Sequence, residues 1–187
     1  MLIILEKRED KSRKIYILLT RFHDFGSKMV RCLTGYKYSH TSIGLDEDMN
    51  TFYSFVCKGF IVEKITRYVK PDRKPFACQI YELSVTEKVY MKIKALIQSF
   101  IENKNNLQYT KLGTFLCILR IPYRKKHCYF CSYFVASILE KSEALKLRKK
   151  SYMYLPGDFK KHENIKCCYA GNLKTMIEDY RLGVSSA

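Results

Sequence analysis

The chain has 187 residues, 47% of them hydrophobic, and carries 34 Lys and Arg against 18 Asp and Glu, a formal net charge of +16. This length and composition fit one folded domain over residues 1–187 and exclude a disordered chain. The basic residues are spread along the chain, and no nucleic-acid-binding signature occurs among them. Such a charge attracts anionic partners in general, but a Lys-rich solvated surface is the simpler interpretation, and we expect no specific nucleic-acid partner.

The first half of the chain is dominated by β-strand patterns. Residues 1–13 are predicted to be a loose leader or an edge strand. One helix is predicted over 25–36, where Met29 and Leu33 have helical spacing. Gly35 is a suitable terminator for this helix. Strands are predicted over 14–21, 39–45, a hairpin over 51–65 hinged near Lys58 and Gly59, and 76–83.

The second half of the chain is mostly helical. Apolar residues at helical intervals predict helices over 86–103, 111–119, 129–141 and 172–180. A loop with a helical turn is predicted over 155–162, and a last strand over 165–171. Strands grouped early and helices grouped late predict one α+β domain.

The localisation prediction depends on one apolar stretch and on the cysteines. "IYILLT" (15–20) is too short to span a membrane, and no cleavage pattern follows it. The eight cysteines are scattered among aliphatic and aromatic residues, unlike those of a secreted disulfide framework. We therefore expect a cytoplasmic protein.

The segment "HCYFCSYFVASIL" (127–139) contains a candidate nucleophile. Cys131 lies near the N-terminus of a predicted helix, where backbone N–H groups have no intrahelical acceptor and the helix dipole favours negative charge. Both effects favour a thiolate, and the same N–H groups can bind the oxyanion of a tetrahedral intermediate. The alternative is that Cys131 only continues an apolar face with Phe134 and Val135.

Cys128 and Cys131 also form a C-x-x-C pair, which allows a redox or zinc interpretation. The basic segment before Cys128 is poorly strand-like, unlike the strand that precedes a thioredoxin-type pair. A zinc ion would need further ligands, such as His162 or residues 167–168. A lone C-x-x-C is a weak signal, so we expect no metal and no cofactor and keep this alternative as the least favoured.

His40 is the candidate general base. In the predicted strand, Ile43 and Leu45 would face one side, while His40 and Ser42 face the other. A polar strand face beside a hydrophobic core is a suitable place for a catalytic base. The alternative is a solvated or core-capping histidine.

Two segments, "YSHTSIGL" (38–45) and "YFCSYFV" (129–135), resemble the circularly permuted papain-like cysteine hydrolases of the YiiX/YaeF type. These enzymes are relatives of the NlpC-type cell-wall endopeptidases and of the lecithin:retinol acyltransferase group. In the permuted enzymes the histidine strand precedes the cysteine helix, as it does here. The resemblance covers roughly residues 14–175. It implies a papain-like α+β fold, with an antiparallel sheet packed against helices and the catalytic cysteine at a helix N-terminus.

The resemblance also implies roles for individual residues. Cys131 would attack a carbonyl as a thiolate, and His40 would take the thiol proton and later protonate the leaving group. Many relatives carry an acidic residue that orients the histidine in the following strand, where this chain has Ser54. Glu63, on the strand beyond, is the nearest carboxylate that could replace it. Tyr38 is a candidate substrate-binding residue.

We therefore expect a cysteine hydrolase or acyltransferase that acts on an amide, peptide or lipid ester. Its positive charge would help to recruit an anionic substrate or to contact a membrane surface. The alternative is a non-catalytic binding module of the same fold, because Ser54 replaces the acidic residue. The oligomeric state is left open.

Overall fold

The computed structural model of the protein describes residues 12–45, 50–68 and 76–181. Residues 1–11, most of the segment predicted to be a leader or an edge strand, lie outside these ranges. Residues 12 and 13 begin the first strand of the sheet, two residues before the predicted start. That strand lies inside the sheet and is not an edge strand.

The described residues form eight strands and five α-helices. The strands are β1 (Ser12–Thr20), β2 (His40–Leu45), β3 (Thr51–Val56), β4 (Gly59–Lys64), β5 (Ala77–Thr86), β6 (Gln108–Tyr109), β7 (Cys128–Tyr129) and β8 (Lys166–Asn172). The α-helices are α1 (Phe25–Thr34), α2 (Glu87–Glu102), α3 (Lys111–Ile118), α4 (Cys131–Lys141) and α5 (Leu173–Arg181). The predicted α+β class is confirmed.

Six strands form one antiparallel sheet in the order β4-β3-β2-β1-β5-β8. Both faces of its central strands are apolar: Ile17 and Leu19 lie on one face, and Leu18 lies on the other. A sheet with two apolar faces must be covered on both sides to bury them. All six residues of β2 are buried as a result.

Helices cover the two faces of the sheet unequally. On one face, α2 packs against β1 and β5, while α4 packs against β2 and β3, and together they enclose the larger core. On the other face, α5 and the helical turn Ile65–Tyr68 enclose a smaller core. We found no helix among the described residues that is both long and apolar enough to cross a membrane.

The ends of α1 agree with the prediction. The carboxylate of Asp24 accepts a hydrogen bond from the backbone N–H of Ser27 at 2.9 Å, which satisfies one of the free amides of the first turn. Gly35 ends the helix with φ +68°, a left-handed conformation that favours glycine. The two apolar residues with helical spacing, Met29 and Leu33, are however exposed to solvent.

Helix α4 begins at Cys131, two residues later than predicted. The difference arises because Cys128 and Tyr129 form the short strand β7, which pairs in parallel with β6. Residues 131–139 are all buried, so α4 has no solvent-facing side over this length. It is a core helix, rather than one with a single apolar stripe.

Candidate active site

Cys131 is the first residue of α4, at an amino end that no side chain caps. The residue before it, Phe130, makes no side-chain hydrogen bond to the helix, although its carbonyl accepts the backbone N–H of Phe134 at 2.9 Å. The N–H groups of the first turn therefore receive no side-chain acceptor, and they favour negative charge in front of them.

His40 is held by a buried carboxylate from another strand. Its Nε2 lies 2.7 Å from Oε1 of Glu63. The hydroxyl of Ser42 donates to Oε2 of the same carboxylate at 2.9 Å and lies 3.3 Å from His40 Nε2. All three side chains are buried. Both oxygens of Glu63 are therefore engaged, and the imidazole is fixed in orientation.

The strands explain why these three residues meet. His40 and Ser42 lie opposite Thr20 and Leu18 of β1, on the sheet face of the smaller core, as the predicted alternation requires. The hairpin of β3 and β4 pairs Phe52 with Glu63. Because Phe52 belongs to the smaller core, the carboxylate points to the same side as His40.

The cysteine and the histidine lie at the ends of their elements and line one cavity. Cys131 is the first residue of α4, and His40 is the first residue of β2. Glu63 contacts Nε2 of the imidazole, so Nδ1 is the ring nitrogen that this carboxylate leaves free. Burial by itself lowers the pKa of His40, but the Glu63 carboxylate and the nearby Cys131 raise it to about 10.

Ser54 does not take the orienting position considered for it. Its buried hydroxyl donates to the carbonyl oxygen of Thr41 at 2.7 Å and so links β3 to β2. Glu63, the other candidate, is the residue that contacts His40. The carboxylate that contacts His40 thus lies on β4, the strand that follows β3, where Ser54 lies.

A Ser54→Ala variant separates a structural role from a role in the site. Because a buried carbonyl loses its donor, we expect the free energy of unfolding to fall by about 1–2 kcal/mol, measured by urea denaturation. The alkylation rate of Cys131 should not change. Ser84→Ala, at an exposed position of β5, is the control and should be nearly neutral. Slower alkylation without a loss of stability would contradict this assignment.

Tyr38 is not placed where a substrate contact was predicted. It precedes β2, which begins at His40, so the strand alternation does not extend to it. The side chain is 6% exposed and belongs to the larger core, on the other side of the sheet from His40. Tyr38 is therefore a core residue and does not line the cavity beside the histidine.

A cavity of about 640 Å³ opens onto Cys131 and His40. It runs between α1 and α3, and its other walls come from the β3–β4 hairpin and β6. Most of its surface is apolar, as expected of a ligand site. Its large apolar side chains are Phe22, Met29, Val30, Phe55, Val56, Phe115 and Ile118.

Two hydroxyl groups add polarity near Cys131 and His40. Ser39 lines the cavity, and its buried Oγ has no hydrogen-bond partner among the described residues. Tyr109 also lines it, and its hydroxyl is 3.1 Å from Oγ1 of Thr114. Burial, with a smaller contribution from Cys131, raises the pKa of Tyr109, so its hydroxyl stays neutral and able to donate a hydrogen bond.

Sequence reasoning missed the parts played by Ser42, Phe22 and Tyr109. Ser42 carried a usable signal, since it shares a strand face with His40. Phe22 packs on the His40 ring with centroids 5.0 Å apart, and no local pattern indicates that contact. Tyr109 lies in a two-residue strand that is too short to recognise from alternation.

The C-x-x-C alternative gains no geometric support. Cys128 is buried in β7, and neither Cys128 nor Cys131 is in a disulfide. In the part of the chain that the structure describes, no three His, Cys, Asp or Glu side chains are grouped to hold a metal ion. His162, considered as a ligand, lies 2.9 Å from the hydroxyl of Tyr154 instead.

Comparisons with known proteins do not assign this chain to a family. Neither a scan of protein-family models nor a search of curated proteins finds a match to it.

Proposed function

We propose that the protein is a papain-like cysteine hydrolase or acyltransferase that cleaves an amide or ester bond, with Cys131 as the nucleophile. The observation that carries the proposal is the buried His40–Glu63 pair in the same cavity as a cysteine at an uncapped helix N-terminus. A nucleophile, a base and a group that orients the base are the components that acyl transfer requires.

The chemistry divides into two steps. The Cys131 thiolate attacks the carbonyl carbon, and the N–H groups at the start of α4 stabilise the oxyanion. His40, which holds a proton at neutral pH, gives it to the leaving amine or alcohol as the C–N or C–O bond breaks. Neutral His40 then takes a proton from water or an acceptor alcohol, which attacks the thioester and releases the Cys131 thiolate.

The alternative of a non-catalytic binding module depended on a missing acidic residue. Glu63 provides a carboxylate at 2.7 Å from His40, which supports the hydrolase over the binding module. The cavity adds to this support, because its apolar walls lead to Cys131. Such walls fit a substrate with an acyl chain or another apolar group beside the scissile carbonyl.

The first test compares the alkylation of each cysteine by iodoacetamide at pH 6, followed by peptide mass spectrometry. Cys131 is buried, whereas Cys32, Cys57, Cys167 and Cys168 are exposed and serve as internal references. We expect Cys131 to react at least about tenfold faster than these, because the proposed mechanism requires a reactive sulfur at the uncapped start of α4 beside His40.

Two variants complete this test. His40→Ala should abolish the preference for Cys131, and Cys128→Ser should leave it unchanged. Equal alkylation of Cys131 and the exposed cysteines would argue against a nucleophile at this position. If Cys128→Ser removed the preference, the redox pair would become the better explanation. A positive result justifies trapping the thioester from amide and ester probes by intact mass.

A further inference from the structure

The exposed apolar side chains of the protein are concentrated beside the cavity that leads to Cys131. Six of the eight large hydrophobic residues found exposed in the described ranges lie on α1, on α3 or directly after α3. We call these six the apolar patch, and each is between 44% and 54% exposed. They are Met29, Leu33, Leu112, Phe115, Leu119 and Ile121.

The apolar patch is continuous across two neighbouring helices. Met29 and Leu33 are one turn apart on α1, Leu112 and Phe115 are one turn apart on α3, and Leu119 directly follows α3. The helices contact each other, and Met29 and Phe115 line the same cavity. An exposed apolar surface of this kind marks an interaction site rather than ordinary surface composition.

The charges on the two segments that carry the apolar patch are of one sign. Residues 25–37 contain Lys28, Arg31 and Lys37 and no acidic residue. Residues 111–127 contain Lys111, Arg120 and a basic run over 124–126, also without an acidic residue. Two carboxylates lie nearby in space. Asp24 caps the amino end of α1, and Asp158 beside Leu33 is buried and paired with Lys149 and Lys161.

We propose that the apolar patch on α1 and α3 docks the protein onto the surface of a bilayer that contains anionic lipids. Apolar side chains on segments whose charged residues are all Lys and Arg fit the acyl boundary and the anionic headgroups of such a surface. Docking on this face would turn the mouth of the Cys131 cavity towards the lipid. The docking surface is independent of catalysis, whereas delivery of a lipid acyl substrate to Cys131 rests on the proposed function.

The test measures cosedimentation with vesicles of phosphatidylcholine alone and of phosphatidylcholine mixed with phosphatidylglycerol. We expect binding to the mixed vesicles that weakens as salt is raised, because the basic residues contribute through charge. Leu119→Asp should lower the partition coefficient at least about fivefold, since it removes an inserted apolar side chain. Leu119 does not line the cavity beside Cys131, so the variant leaves that cavity intact.

Met91→Asp is the matched control for Leu119→Asp. It adds the same charge at a residue of α2 that is exposed to a similar extent, 53% against 49%, but lies outside the apolar patch. We expect it to change the partition coefficient less than about twofold. Failure of the wild type to bind the mixed vesicles would overturn the proposal, as would an equal effect of both variants.

Two further outcomes are informative. One would identify a different occupant of the apolar patch, and the other would contradict the proposed function alone. A wild type that dimerises in the absence of lipid, with Leu119→Asp monomeric, would assign the apolar patch to a second copy of the chain and overturn membrane docking. Cys131→Ser should bind vesicles as the wild type does. Binding without preferential alkylation of Cys131 in the wild type would therefore contradict the proposed function while it leaves the docking surface in place.

Discussion

Glu63→Gln is expected to slow the hydrolysis of a chromogenic acyl ester by about 10²-fold in kcat/KM. The substitution keeps a side chain of the same shape, so the amide oxygen can still accept from His40 Nε2 where Oε1 lies 2.7 Å away. It removes the negative charge that stabilises a buried imidazolium. The loss therefore measures the contribution of charge, separately from the orientation of the ring.

The size of the effect can be bracketed by two other variants. Glu63→Ala removes both the charge and the hydrogen bond, so its kcat/KM for the ester should be lower still. Glu82→Gln removes a partly exposed carboxylate that pairs with Lys14 on the sheet, and it should leave the rate unchanged. An unchanged rate in Glu63→Gln, with Cys131 still required, would mean that the carboxylate is structural only.

The free energy of unfolding of a Cys131→Ser variant, in which no thiol titrates beside His40, is expected to fall by about 1–2 kcal/mol between pH 6.5 and pH 8.5. The pKa of His40 is raised to about 10 in the folded protein, against an ordinary value of 6.5. The folded state thus keeps a proton that the unfolded chain loses in this range. A group whose pKa is raised on folding stabilises the folded state fully below pH 6.5, and this contribution decreases as the pH rises towards 10.

Adding Glu63→Gln to Cys131→Ser should abolish this decline. Without the carboxylate and the thiol, burial is the remaining cause and lowers the pKa of His40, so the folded state no longer keeps a proton that the unfolded chain loses. The raised pKa values of buried cysteines such as Cys78 and Cys117 also reduce stability as pH rises, but they do so equally in both proteins. Urea denaturation at several pH values measures the difference. Parallel curves would contradict a protonated His40.

The choice between Ser54 and Glu63 shows what a sequence pattern leaves open. Both residues lie on the predicted hairpin, and the pattern indicates strands but not their register. The turn at residues 57–58 places Phe52 opposite Glu63 and Ser54 opposite Ile61. A shift of one residue in that turn would send Glu63 to the other face of the sheet. The position of the carboxylate therefore depends on pairing between strands, which a local pattern does not contain.

The start of α4 and the exposed face of α1 also show that a local pattern predicts an element but not its contacts with the rest of the chain. The helical spacing after Cys131 predicted the helix, but the pairing of Cys128 and Tyr129 with β6 moved its first residue. On α1, spacing predicted the helix and Gly35 its end. Spacing did not show that Met29 faces solvent, because that depends on which neighbours the rest of the chain provides.

The burial of α4 on all sides has a consequence for motion. A helix whose residues 131–139 are all enclosed cannot open without disrupting the larger core, so its amides should exchange with solvent only when the whole domain unfolds. Cys131 is anchored at the start of this helix. Helices α1 and α3, with their exposed apolar side chains, have fewer constraints and can open locally. The wall that carries the thiol is thus the stationary one, and any widening of the cavity must come from the opposite wall.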